Sequence, residues 1–388
     1  MPVRPGISVL LEDGGHDLRR ARIGLIMHPA SVTPTLSTSD DALRRAGFTI
    51  ASLFGPQHGA RGEKQENMVE SASFVDPRFG IPVHSLYGDE RKPTPAMLDG
   101  LDALVLDLQD VGVRVYTFVW TMTLAMEACR DAGIRFVVLD RPNPLGGVVR
   151  EGPLLREGFE SFVGLHPVPL RHGLTTGELA RLANDAFGIG CDLDVVPCQG
   201  WERTAWFDRT GLPYVLPSPN LPTLDSCVAY PGMVLLEGTN LSEGRGTTRP
   251  FEFVGAPFLD AHAFASALEE RRLPGVTFRA CHFEPTFHKH ANVSCGGAQL
   301  HIIDRDAFRS VETAVTVLRT AKDLAPDAFV WRSPPYEYEA EKTPIDILWG
   351  SEALRIGIDG GATVAEIMAG VGEEIARFEA TAAPYLLY

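Results

Sequence analysis

Apolar residues in the first third of the chain come in short runs that stop abruptly at polar or turn-forming residues. "ARIGLIMHPAS" from Ala21, "FTIASLFGPQHG" from Phe48, "LDALVLDLQDVG" from Leu101 and "IRFVVLDRPNP" from Ile134 each run apolar and then break into Gly, Pro, His, Asp or Gln. Such runs predict β-strands. Helical patterns alternate with them: "DDALRRAGF", then "YTFVWTMTLAMEACRDAG" (Tyr116 to Gly133) with a Gly stop. "TTGELARLANDAFG" follows, with a Thr cap and a Glu in its first turn. Strands alternating with helices predict a parallel α/β sheet. Ligands of open α/β sheets bind beyond the carboxyl ends of the strands, so the four endings are expected to converge on one crevice.

The pattern then changes. From about Cys198 to Pro257 the chain is rich in Pro, Gly, Asn and Thr with little periodicity, and it reads as a long loop folded across the crevice. From Phe258 onward come a helix ("LDAHAFASALEERR"), two strands ("GVTFRACHFEP", "GAQLHIID"), a helix ("RDAFRSVETAVTVLRTAKDL") and a final helix around "ATVAEIMAGVGEEIARFEA". The expected organisation is a Rossmann-like parallel-sheet subdomain over 1–257, a smaller α+β C-terminal subdomain over 258–388, and an active-site cleft between them.

Composition narrows the function. With 388 residues and 45% hydrophobic content the chain buries a large core. A formal net charge of -15 without clustered Lys and Arg argues against nucleic-acid binding. No apolar run approaches the ~20 residues that span a bilayer, and the N-terminal stretch has no leader-like pattern, so a cytoplasmic location is expected. The six cysteines form no C-x-x-C pair and read as reduced, packed thiols.

Candidate chemistry gathers at the strand ends. In "GPQHGARG" the glycines at 55, 59 and 62 match neither a dinucleotide fingerprint nor a phosphate loop. His58 is a candidate proton carrier, with a structural imidazole as its rival. Glu63, Glu66 and Glu70 would share a face if helical, and a solvated acidic face is the plain reading. Glu70 stands apart because it follows the apolar pair Met68 and Val69, which would desolvate it and prepare a general acid. "DLQDVGVRVYTF" supplies Asp107, Gln109, Asp110 and Tyr116, and an Asp110–Arg114 ion pair is the structural alternative there. "LDRPNP" supplies Asp140, Arg141 and Asn143, with Arg141 an anion clamp or a structural salt bridge. Among glycines from Leu235 to Pro257 stand Glu237, Asn240, Ser242, Glu243, Arg245 and Glu252. Polar density of that kind favours ligand contact over core packing. There is no G-x-S-x-G elbow and no H-E-x-x-H, and His288, His290 and Cys295 lack metal-site spacing, so no metal is expected.

Taken together, "GPQHGARG", "DLQDVGVRVYTF", "LDRPNP", "RHGLTTGELA", "PSPNLPT", "YPGMVLLEGTNLSEGRGTTRPFEFVGAP" and the terminal "YLLY" resemble, in order and over nearly the whole chain, the NamZ-type exo-β-N-acetylmuramidases. The resemblance implies two subdomains with a cleft between them and release of terminal N-acetylmuramic acid from the non-reducing end of peptidoglycan fragments in cell-wall recycling. It implies no metal or nucleotide cofactor and a small muropeptide or amino-sugar glycoside as partner. The family commonly reads G-P-E-H-G where this chain has Gln57, whose amide cannot supply a proton.

Glycoside hydrolysis uses two carboxyl groups, so substitutes are needed. Glu70 is the expected acid, with Glu243 or Glu237 as its partner. His58 and Gln57 would orient the sugar or water, and Arg61, Arg141 or Arg245 would bind the lactyl carboxylate. Asp107, Gln109, Asp110, Tyr116, Asn143 and Asn240 complete the expected binding surface. Two readings compete: a glycosidase for another carboxylated amino sugar, and a non-catalytic glycan-binding or sensory protein.

Overall fold

The computed structural model describes residues 2–65 and 68–388. Twelve strands can be traced among them: β1 (Arg22–Met27), β2 (Thr49–Gly55), β3 (Phe74–Val75), β4 (Pro82–Ser85), β5 (Ala103–Asp107), β6 (Arg135–Leu139), β7 (Glu151–Leu154), β8 (Pro169–Arg171), β9 (Leu193–Val196), β10 (Phe253–Ala256), β11 (Val276–Phe283) and β12 (Cys295–Ile302). Seven form one sheet in the order β3-β4-β2-β1-β5-β6-β9, parallel throughout except for the short edge strand β3. The four runs that predicted strands are its centre.

Both faces of that sheet are covered, which is why its strands read as continuous apolar runs rather than alternating ones. Ile23, Leu25, Val105, Val137 and Leu139 pack with Ile7, Leu10 and Leu43 on one side. Ile26, Phe54, Leu104, Leu106, Phe136 and Val138 join a much larger core on the other, with Phe118, Val119 and Met122 of the crossover helix Phe118–Ala132. That helix stops at Gly133, whose φ of 68° suits a residue without a Cβ. The helix Thr176–Asp185 starts with the expected capping box between Thr175 and Glu178.

The second sheet is antiparallel, in the order β10-β12-β11, with the helix Ala261–Glu269 packed on it and the helix Ser310–Leu324 packed in turn on that helix. β10 therefore belongs to this sheet. The segment expected to be a structureless loop also holds a helix, Leu224–Met233, continued by a 3-10 turn, Val234–Gly238. It escapes a periodicity test because Ser226 to Met233 are all buried, leaving no polar face. Its Gly232 lies so close to the neighbouring helix that a Cβ would sit 1.9 Å from Ser310 O. The single final helix expected is two, Val364–Ile367 and Val371–Ala382, broken where Gly370 takes a φ of 82°.

Two buried contacts bind the halves together. Arg114 is fully buried and donates to four carbonyls, those of Pro153, Val168, Leu348 and Trp349, at 2.8–2.9 Å. The Asp110–Arg114 ion pair does not form, because carbonyls on both sides of the molecule claim the guanidinium. The terminal Tyr388 returns to the first sheet, donating to Asp140 Oδ2 at 2.7 Å. All six cysteines are free, and five are buried. Among the described residues no helix is long and apolar enough to cross a membrane.

Candidate active site

The loop after β2 begins the site. Gly55 closes the strand where a Cβ would meet Ala60 N at 2.5 Å, so the chain folds back on itself at once. His58 and Gly59 take φ values of 71° and 81° within that turn. Gln57 is thereby buried and its amide fixed. Thr117, the residue just before the crossover helix, donates to Gln57 Oε1 at 2.7 Å, which leaves Nε2 to donate to Tyr87 Oη at 3.1 Å and to Glu337 Oε1 at 3.2 Å. Tyr87, two residues past β4, donates to Glu337 Oε2 at 2.8 Å.

Glu337 arrives from the far end of the chain. It is 2% exposed, and its φ of 46° is followed by 68° at Tyr338. Consecutive left-handed residues with side chains persist only where their surroundings hold them, and such strain clusters at functional sites. Burial pushes the Glu337 carboxyl up to about 7, and the nearby Glu237 charge adds to that, against the opposing hydrogen bonds from Tyr87 and Gln57 and the attraction of Arg245.

Behind Glu337 runs a chain of buried charges. Glu237 meets Arg245 Nη1 at 2.6 Å and accepts from Tyr336 Oη at 2.6 Å. Arg245 Nη1 also meets Glu243 Oε1 at 3.0 Å, and Glu243 in turn meets His288 Nδ1 at 3.2 Å and Lys289 Nζ at 2.9 Å. Burial alone would raise the Glu243 carboxyl, but Lys289, His288 and Arg245 outweigh it and hold it well below the usual carboxylate range. Lys289 and His288 pair with Glu243, and Arg245 with both Glu243 and Glu237. Glu337 is bonded instead by the neutral Tyr87 and Gln57, and it meets its burial by holding a proton near neutrality.

A narrow cleft of about 30 Å³ between the two halves is lined by Gln57, His58, Tyr116, Asn220, Glu237, Arg245, Tyr336 and Glu337 among others. His58 Nδ1 stands 2.8 Å from Lys64 O, and burial, with Arg245 adding to it, lowers its pKa to about 4 despite that bond. His28 is lowered to about 3 by burial and by His58. His58 is therefore a neutral imidazole at physiological pH, and the titration near neutrality expected of it does not arise.

The four strand endings do not converge on one crevice. Those of β5 and β6 close on each other instead: Arg141 grips Asp107 at 2.5 and 2.8 Å and donates to Val32 O at 2.9 Å. Gln109 Nε2 donates to Asp110 O and Pro142 O, and it lines with Arg141 a separate small cavity of about 10 Å³. Asp110 accepts from Gly112 N at 2.6 Å. Asn143 spans Leu174 O and Leu145 N, and Asn240 spans Ala328 O and Val330 N, so both hold loops together. Tyr116 lines the cleft, its hydroxyl tied to Pro217 O at 2.6 Å.

Glu70 is exposed, as are Met68 and Val69, so the expected desolvation is absent. It lies beside Gly88. Residues 61–65 and 68–70 form no helix, so Glu63 and Glu70 share no helical face, and Glu66 lies outside the described residues. Arg61 is exposed with its guanidinium 4.3 Å from the Phe74 ring centroid, outside the cleft. His288 turns to Glu243, and His290 Nε2 lies 2.7 Å from Asn240 O; no cluster of potential metal ligands exists among the described residues.

Sequence reasoning missed Glu337, Tyr87 and Thr117. The available signal was "PPYEYEAEK", where a Pro-Pro pair and two tyrosines bracket one carboxylate.

Residues 23–225 match the family described as exo-beta-N-acetylmuramidase NamZ, N-terminal, and residues 228–388 match its C-terminal counterpart. The chain belongs to the NamZ family. It is 47% identical over 387 residues to the peptidoglycan beta-N-acetylmuramidase NamZ of Bacillus subtilis strain 168, covering 100% of this chain and 91% of that protein. Two DUF1343 family proteins of Bacteroides fragilis share the fold. One superposes with a TM-score of 0.90 at 34% identity, covering 100% of this chain and 99% of the other. The second gives 0.78 at 28% identity with the same coverage. The NamZ family's two matched segments meet near residue 226, and the cleft draws its lining from both.

Proposed function

We propose that this chain is an exo-β-N-acetylmuramidase that releases N-acetylmuramic acid from the non-reducing end of peptidoglycan fragments, with Glu337 as general acid and Glu237 as its partner carboxyl. The observation that carries the assignment is Glu337, a cleft carboxyl that burial pushes up to about 7 and that Tyr87 and Gln57 hold in place. A second carboxyl, Glu237, lines the same cleft and is held by Arg245 and Tyr336. Two carboxyl groups at one site are what glycoside hydrolysis uses.

In the reaction Glu337 gives its proton to the glycosidic oxygen as the bond to the anomeric carbon breaks. Glu237 faces the positive charge that develops on that carbon, water adds there, and the proton lost by the water restores Glu337. Gln57 supplies an amide that orients Glu337, with Thr117 fixing which end of the amide faces inward. Arg245 is the cation of the cleft lining, and its Nε has no hydrogen-bond partner among the described residues, so it is the group proposed to meet the lactyl carboxylate. Glu243, surrounded by Arg245, Lys289 and His288, acts as the anchor of that arginine. Arg141 is engaged by Asp107 and has no part in this scheme.

The test is release of N-acetylmuramic acid from a disaccharide of muramic acid β-linked to N-acetylglucosamine. Time-dependent release is expected. Calorimetric binding of the disaccharide without release would instead favour a glycan-binding protein, and cleavage confined to a different carboxylated sugar would overturn the substrate assignment.

A further inference from the structure

An acid that protonates the glycosidic oxygen must lie beside the departing sugar, so the position of Glu337 fixes which way the substrate runs. Glu237 and Arg245, both buried, line the cleft with Glu337, and in the scheme above the terminal sugar lies against them. On the solvent side the next residue in the chain is Tyr338, 39% exposed. Its ring meets Tyr87 edge-on at 5.6 Å and Phe162 at 6.1 Å, so it rests on the residue that hydrogen-bonds the acid. The Arg91 guanidinium lies 4.1 Å from the ring centroid and is itself anchored, Nη1 to Gly88 O at 3.1 Å.

The backbone is committed to this position. Glu337 and Tyr338 both occupy left-handed φ, a costly arrangement that keeps ring and carboxyl in fixed relation. A large aromatic held half in water by strained backbone, next to a general acid and backed by an arginine, has little value to the core. A pyranose presents C–H groups that pack on an aromatic surface, and its hydroxyl and acetamido groups find a partner in Arg91.

We propose that Tyr338, supported by Arg91, forms the leaving-side subsite, holding the pyranose ring of the N-acetylhexosamine whose oxygen Glu337 protonates. This rests on the hydrolase reading above. The experiment compares Tyr338→Ala and Tyr338→Phe with the unaltered protein on two substrates, the muramic acid–N-acetylglucosamine disaccharide and N-acetylmuraminyl fluoride, which has no ring on the leaving side. In Tyr338→Ala the ratio of kcat/KM on the disaccharide to that on the fluoride should fall about tenfold, mainly through KM, as expected for loss of one aromatic contact. Tyr338→Phe should restore the ratio. Equal losses on both substrates, or an unchanged ratio, would overturn the subsite while leaving the hydrolase reading intact. An unaltered protein that turns over neither substrate would overturn both.

Discussion

Replacing Glu337 by Gln should stabilise the protein, and by an amount that grows with pH. The carboxyl ionises near 4.5 when exposed to water and at about 7 in the folded cleft, where burial disfavours its charge. A carboxyl whose folded value is raised costs no stability below the unfolded value. Between the two values the unfolded chain releases the proton first, and the cost rises to its full size above about 7. The shift of 7 − 4.5 = 2.5 corresponds to about 3 kcal/mol at high pH. Between pH 5 and pH 8 the cost grows by roughly 2–3 kcal/mol. Gln has the same shape and carries no charge, so the variant escapes this term. At about 2.1 cal/mol/K per residue of unfolding entropy, the gap in Tm between variant and parent should widen by about 3 °C from pH 5 to pH 8. Scanning calorimetry of the two proteins across that range measures it. Parallel Tm curves, or a variant that loses ground as pH rises, would refute the claim that Glu337 is held protonated by burial.

Glu70→Gln should turn over the disaccharide within about twofold of the unaltered protein, because exposed surface substitutions act weakly; loss of activity would return the acid assignment to Glu70. Gly232→Ala puts a methyl group on the Ser310 carbonyl, and the backbone shift required should cost about 3 kcal/mol, read as a drop in Tm, whereas an unchanged Tm would contradict the close approach of the two helices.

The sheet was legible because its central strands are buried on both faces, so continuous apolar runs such as "ALVL" mark them without regard to partner. The helix Leu224–Met233 was not, for the same physical reason applied to another element: a helix buried all round has no polar stripe, and Pro231 disguised it further. Strand-end chemistry was read in part. Gln57, His58, Tyr116, Glu237 and Arg245 all line the cleft. Asp107 and Arg141 do not, because β5 and β6 are neighbours in register and bring an opposite-charged pair together at their ends. Glu70 and Glu337 make the sharpest contrast. Met68 and Val69 suggested burial for Glu70, but they are themselves exposed. Glu337 is one of three closely spaced carboxylates, with Glu339 and Glu341, and was not singled out. Its burial is made by Tyr87 and Gln57, 250 and 280 residues away, and no local window of sequence carries that contact.

The central claim is that Glu337 donates the proton to the leaving group, and the pH dependence of kcat/KM on the disaccharide tests it most directly. The unaltered protein should lose activity as pH rises through about 7, following ionisation of Glu337. Glu337→Gln should be slower by roughly 10²–10⁴-fold and should show no such basic limb. A Glu337→Gln protein that keeps both its rate and a basic limb near 7 would contradict the account.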